Sequence, residues 1–166
     1  MDSIDEILVN KIYNLVNYIL VNKIKPDMRL DKVRDINEEV ISYLKEKYGI
    51  KGVILDVDKT IRKNMKKIPK CNQEWIENLK KQLKVIIVSN GLDKNIDDYF
   101  KKRGIEYIGL AYKPLKKNFQ IACQKLGLKP EEVLVVGDSL FTDIYGGKRN
   151  NMRTLHITNV EEELEF

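Results

Sequence analysis

The sequence predicts an α/β fold: a parallel sheet of about five strands flanked by helices. Three observations predict it. Short apolar runs alternate with segments of helical periodicity from residue 50 to residue 157. The connections between them are short, as right-handed βαβ units require. The apolar runs also end abruptly in polar residues, the pattern of buried strands that open into a ligand crevice at their carboxyl ends.

The element that anchors this reading is Val53-Ile54-Leu55-Asp56-Val57-Asp58-Lys59-Thr60. An apolar run, Ile50 to Val57, reaches two carboxylates two residues apart and then a hydroxyl. Buried carboxylates must be paired or bound to a cation, so Asp56 and Asp58 are placed at a strand end facing a crevice. There they can serve as nucleophile, acid/base pair or Mg²⁺ site.

The remaining elements follow in order. Ile4, Ile7, Leu8, Ile12, Leu15, Val16, Ile19 and Leu20 recur at spacings of three and four, which predicts an amphipathic helix over 4–24, capped at Asp2 or Ser3. Its apolar face either docks on the core or meets a membrane surface or a second copy. Pro26 ends it, and residues 25–30 read as a connection. Residues 36–47 form a second helix with Asn37, Glu38 and Glu39 at its start and Gly49 beyond its end. Helices are predicted at 72–83, with Trp75 in the core, at 93–103, at 117–126 and at 140–149. Strands are predicted at Lys84–Val88, Ile105–Ala111, Val133–Val136 and Arg153–Ile157. The acidic tail from Glu161 to Phe166 reads as a frayed end.

Composition narrows the function classes. The chain has 166 residues, with 43% hydrophobic and 33% charged, in the range of one globular domain that needs no disulfide or metal to fold. The net charge of +5 favours anionic partners. Cys71 and Cys123 have neither metal-ligand nor disulfide-framework spacing, and thiols kept reduced in the cytoplasm are expected. His156, alone in an apolar run, reads as a packing or surface residue rather than a base. The acidic start lacks a signal peptide's basic region, and no apolar run reaches the roughly 18 residues of a membrane span.

The strand ends carry a coherent chemistry. Asp56, Asp58 and Thr60 follow the first core strand, Ser89 and Asn90 the second, Lys113 the third, and Gly137, Asp138, Ser139 and Asp143 the fourth. In a parallel sheet these ends share one edge and can converge. Phosphate monoester hydrolysis needs a nucleophile, an acid for the leaving oxygen, and positive charge for the transferring group. Carboxylates, Mg²⁺ and a lysine supply all three. Asp56 and Asp138 offer the oxygen donors that Mg²⁺ prefers, and Thr60, Ser89, Asn90 and Lys113 are candidates for phosphate contact.

The runs D-V-D-K-T, V-S-N-G, A-Y-K-P and V-V-G-D-S-L-F-T-D resemble, in order, the four motifs of the haloacid dehalogenase-like (HAD) phosphohydrolases over residues 53–143. The resemblance implies a Rossmann-like sheet and a role for each residue. Asp56 is the nucleophile that forms an aspartyl-phosphate. Asp58 protonates the leaving group and then activates water. Thr60 and Ser89 hydrogen-bond the phosphoryl oxygens, and Lys113 neutralises charge and orients Asp56. Asp138 binds Mg²⁺ with Asp56 and the backbone carbonyl of Asp58, supported by Asp143. Lys59 departs from the pattern, since relatives usually carry a small or amide residue there.

Residues 61–88 and 90–112 are each consumed by one helix and one strand, so no cap domain fits and the site is expected to be open. Residues 25–158 are also similar to the YqeG-like HAD-IIIA subfamily, through Lys25-Pro26-Asp27, Gly49 to Val53 and Thr142 to Asn150. That subfamily includes phosphatidylglycerophosphate phosphatases. The expectation is an amphipathic helix over 1–24 added to a single phosphatase domain over 25–166. The protein is then a Mg²⁺-dependent enzyme of phospholipid biosynthesis, cytoplasmic or peripheral at the inner membrane face, that converts phosphatidylglycerophosphate to phosphatidylglycerol. Alternatives are a phosphatase for a nucleotide, a nucleic-acid end or a phosphoprotein, and a catalytically vestigial module that binds RNA or the ribosome. The basic residues are interspersed with acids and lack interleaved aromatics, which weighs against nucleic acid.

Overall fold

The computed structural model describes residues 4–161. In order, the elements are α1 (Ile4–Lys23), β1 (Met28–Leu30), α2 (Glu38–Tyr48), β2 (Gly52–Leu55), α3 (Lys70–Lys80), β3 (Lys84–Val88), α4 (Lys94–Lys101), β4 (Glu106–Ile108), α5 (Lys116–Leu126), β5 (Val133–Gly137), α6 (Gly146–Arg149) and β6 (Arg153–Ile157). The strands form one parallel sheet in the order β1-β6-β5-β2-β3-β4. From the central β2 the chain winds outward through β3 and β4, then crosses back to build β5 and β6 on the other side, where β6 pairs with the earlier strand β1. The order reverses between β2 and β5, and the crevice beyond their carboxyl ends is where such sheets bind ligands.

The core lies on both faces of this sheet. Val53, Leu55, Ile87, Leu134 and Val136 pack with Ile76, Leu79 and Phe100 on one face. Ile54, Ile86, Val133 and Val135 pack with Phe119, Ala122 and Leu126 on the other. Trp75 belongs to the first cluster, and its indole N–H donates to the Ile36 carbonyl at 3.0 Å. Asn37 caps α2 by accepting from the Val40 N–H, and Gly49 ends the helix at φ 66°, a conformation that costs glycine least.

Four differences from the sequence reading have local causes. Residues 28–30, read as connection, form the edge strand β1. They pair with Leu155–Ile157, and Asp27 anchors them through the Thr154 N–H and hydroxyl. Three residues are too short a run to show periodicity. The strand expected over Ile105–Ala111 stops at Ile108, because the N–H groups of Leu110 and Ala111 turn to the carbonyls of Gly91 and Ser89. Residues 140–149 divide into a wide π-type turn, Leu140–Tyr145, and the short α6. In that turn the N–H groups of both Asp143 and Ile144 converge on the Ser139 carbonyl.

The fourth difference concerns α1, which forms as expected and lies against the Leu140–Tyr145 turn. Ile4, Ile7, Leu8, Ile12, Leu15 and Ile19, most of the expected apolar face, remain exposed, so that face does not dock on the core. The expected caps at Asp2 and Ser3 and the tail beyond Glu161 lie outside the described residues. None of the described helices is long and apolar enough to cross a membrane.

Candidate active site

The site is built where β2, β3 and β5 end. Asp56 follows β2 directly, and its N–H continues the sheet by donating to the Val136 carbonyl of β5. This fixes the Asp56 carboxylate beside the loop that carries Asp138. The next residues turn sharply. The N–H groups of Thr60 and Ile61 both reach the Val57 carbonyl, and Lys59 takes φ 61°. Left-handed backbone is where glycine and asparagine are at least cost, which gives a steric reason for the small or amide residue expected at this position.

Lys113 sits at the centre of the charge cluster. It is 5% exposed, with Nζ 2.8 Å from Asp56 Oδ1 and 2.6 Å from Asp143 Oδ1. Asn90 sets it in place by a two-way clamp: Asn90 Oδ1 accepts from the Lys113 N–H at 2.7 Å, and Asn90 Nδ2 donates to the Lys113 carbonyl at 3.1 Å. Burial pulls the Lys113 amine down, but Asp143 and Asp56 outweigh it and leave the amine above the ordinary lysine range.

Asp143 is buried, and its Oδ2 accepts from the Ser139 N–H at 3.2 Å. Gly137 makes room for it, because a Cβ there would collide with the Asp143 carboxylate. Burial and then the neighbouring Asp56 charge raise Asp143 to about 6 despite Lys113. Asp138 is raised to about 7, again by burial first and then by the Asp56 and Asp143 charges. Asp56, Asp138 and Asp143 each offer an oxygen, all within 4.8 Å of one another. Three hard oxygen donors whose ionisation is opposed by their own proximity fit a divalent cation of the Mg²⁺ type. The Asp58 carboxylate is outside this group.

Thr60 is fully buried, with Oγ1 3.0 Å from Asp56 Oδ2 and 3.3 Å from Asp138 Oδ1. Its hydroxyl therefore ties the two carboxylates together. Ser89 is buried at the end of β3, where its Oγ accepts from the Gly91 N–H at 3.2 Å, so its own proton remains available to donate. The eight residues expected to act in catalysis, phosphate contact or metal binding thus meet at one sheet edge, with Asn90 acting on the backbone of Lys113.

Two residues were missed. The buried Arg62 forms ion pairs with the partly buried Asp58 and Asp93. The placement of Arg62 four residues after Asp58, and of Asp93 at the start of α4, was the available signal. His156 lies beneath the fourth loop, with Nε2 2.8 Å from the Asp138 carbonyl. Burial holds its imidazole below the usual histidine range, so the neutral ring donates from Nε2. It packs, as expected, but packs against the backbone of a site residue.

Residues 63–151 match the family of haloacid dehalogenase-like hydrolases. The chain is 38% identical over 122 residues to the probable phosphatase YqeG of Bacillus subtilis (strain 168), covering 70% of this chain and 69% of that protein. It is 40% identical over 60 residues to a glyceraldehyde 3-phosphate phosphatase of Pyrococcus furiosus, a match covering 36% of this chain and a quarter, 25%, of that protein. A solved structure of a Listeria monocytogenes protein shares the fold at a TM-score of 0.55 and 18% identity, covering 70% of this chain and 85% of that one. The fold and these relatives define an α/β phosphatase, a phosphoric monoester hydrolase. The chain belongs to the haloacid dehalogenase-like hydrolase family.

Proposed function

We propose that the protein hydrolyses phosphatidylglycerophosphate to phosphatidylglycerol through an aspartyl-phosphate on Asp56. The observation that carries the chemistry is the convergence of Asp56, Lys113, Asp138 and Asp143. Lys113 holds Asp56 Oδ1 in a fixed place, which favours attack by a positioned oxygen. An Asp56 oxygen attacks phosphorus, the bond to the leaving oxygen breaks, and that oxygen takes its electron pair and the proton of Asp58. Asp58 then removes a proton from water, which attacks phosphorus. The bond to Asp56 breaks, restoring its carboxylate and releasing inorganic phosphate. Lys113 and the Ser89 hydroxyl face the charge of the phosphoryl group. Asp56, Asp138 and the backbone carbonyl of Asp58 would hold Mg²⁺, with Asp143 behind them, and the bound cation would supply further positive charge for phosphoryl transfer.

The lipid assignment is supported by the rim. Among the described residues, the exposed large apolar side chains outside α1 are Tyr43, Met65, Leu92, Leu110, Tyr112 and Leu115. All but Tyr43 stand on loops that follow β2, β3 and β4, at the edge that carries the site. The loop from Lys59 to Lys67 adds exposed Lys59, Lys63, Lys66 and Lys67 with no acid among them. Together with the exposed face of α1, which lies against a turn of the same edge, these features suit an anionic bilayer. Apolar side chains can enter it while lysines meet its headgroups. Peripheral attachment at the inner membrane face follows as part of the same proposal.

A second reading, a small soluble phosphate ester, is favoured by the partial match to the Pyrococcus enzyme. The experiment that separates them is Mg²⁺-dependent phosphate release from phosphatidylglycerophosphate in vesicles, beside a panel of soluble monoesters and an Asp56→Asn control. Lipid turnover well above the panel, lost in the control, is expected. Turnover confined to soluble esters would discard the lipid substrate. Salt-sensitive RNA binding with no turnover would favour a binding module instead.

A further inference from the structure

We propose that Arg62 is a positioning residue for phosphoryl transfer, holding the Asp58 carboxylate so that one of its oxygens alone faces the reacting groups. The proposal rests on the reading of Asp58 as the proton carrier. Arg62 is 3% exposed in a stretch otherwise rich in exposed lysines. Its Nε donates to Asp58 Oδ1 at 2.8 Å, and the Met65 N–H donates to the same oxygen at 3.1 Å. Asp58 Oδ2 is left turned toward the loop that carries Ser89. A Cβ added at Gly91 would lie 3.8 Å from that oxygen and 3.6 Å from Ser89 Oγ. Two donors thus occupy one Asp58 oxygen and leave the other to the site.

The guanidinium is itself fixed from behind. Its Nη1 donates to Asp93 Oδ2 at 2.9 Å and to the Lys66 carbonyl at 3.2 Å. Asp93 caps α4, and its Oδ1 accepts from the Asn95 and Ile96 N–H groups. The ion triad Asp58–Arg62–Asp93 therefore joins the loop after β2 to the helix after β3, and with it the nucleophile's loop to Ser89. A buried charge network is weak evidence for added stability, and its best-attested use is to specify one arrangement. Here the specified arrangement is the orientation of a carboxylate. The planar fork of arginine bonds two carboxylates at once in a way that lysine cannot reproduce.

Leaving-group dependence distinguishes positioning from a general structural role. Proton transfer matters most for a poor, alkyl leaving group and little for para-nitrophenolate, and general acid catalysis is worth roughly 10²–10⁴-fold. Arg62→Met is expected to lower kcat on an alkyl phosphate by about 100-fold and on para-nitrophenyl phosphate by less than about threefold. Arg62→Lys should recover part of the difference. The ratio of the two rates in one preparation is independent of how much protein is folded. In an Asp58→Asn background, Arg62→Met should produce no further change in that ratio. Equal losses on both substrates, or an unchanged ratio, would overturn the proposal. Unchanged alkyl phosphate turnover in Asp58→Asn alone would instead sink the assignment of Asp58.

Discussion

The carboxyl edge of the sheet and helix α1 both invert the usual distribution of residues, in opposite senses. At the edge, Lys113, Asp143 and Arg62 are charged and buried. Along α1, Ile4, Ile7, Leu8, Ile12, Leu15 and Ile19 are apolar and exposed. The first inversion is compensated within the chain, since each buried charge has a partner of opposite sign at 2.6–2.9 Å. The second has no such compensation among these side chains. Helix α1 thus turns apolar side chains outward, where the edge turns charged ones inward.

The comparison can be broken most strongly at Lys113. Lys113→Met leaves Asp56 and Asp143 buried without their cation. Breaking such a pair costs about 3–5 kcal/mol, which chemical denaturation near neutral pH will measure. The loss should shrink in acid, where Asp143 can take a proton. A loss under about 1 kcal/mol near neutral pH would mean that the edge is not internally compensated.

The second test uses pH. Asp138 and Asp143 are raised to about 7 and about 6 in the folded state, above the unfolded carboxylate value. Such groups contribute stability below the unfolded pKa and lose it as pH rises through the folded one. Metal-free protein should therefore lose on the order of 2–4 kcal/mol from these groups between about pH 5 and pH 8. Mg²⁺, which favours the ionised form, should raise the melting temperature more at the higher pH. An equal shift at both pH values would remove the carboxylate triad as the metal site.

For α1 the expectation is the reverse: small effects on folding and larger ones on association. Serine at Ile7, Leu8, Ile12 and Leu15 together should change stability by no more than about 0.5 kcal/mol per site. The same change should weaken binding to anionic vesicles by at least about tenfold, given about 1.5–3 kcal/mol for each such side chain buried. A large loss of stability with unchanged vesicle binding would turn α1 into a structural helix. The smallest effect is expected at Lys59, where φ 61° is strained for a side chain. Lys59→Asn should stabilise by about 0.5–1 kcal/mol in thermal unfolding.

Much of the catalytic edge was legible because its residues follow apolar runs directly. Asp56 after Leu55, Ser89 after Val88 and Asp138 after Gly137 could be placed on one edge by the parallel topology alone. The β1 strand was not legible, since Met28–Leu30 owes its form to pairing with Leu155–Ile157, more than a hundred residues away. The clamp of Asn90 on Lys113 was hidden for the same reason: it joins two loops 23 residues apart through backbone groups that carry no sequence signal. Arg62 was masked by its setting, because a cation among exposed lysines reads as solvated surface until burial singles it out. For α1 the sequence specified the helix and its apolar face, but periodicity does not tell what covers such a face.

The central claim is that Asp56 forms the covalent bond to phosphorus. The direct measurement is an acid quench during turnover of para-nitrophenyl phosphate with Mg²⁺, followed by borohydride reduction and peptide mass spectrometry. Reduction of an aspartyl-phosphate converts that residue to homoserine. The account predicts homoserine at position 56, and none there without substrate. Homoserine at Asp58, Asp138 or Asp143, or none anywhere while phosphate is being released, would contradict it.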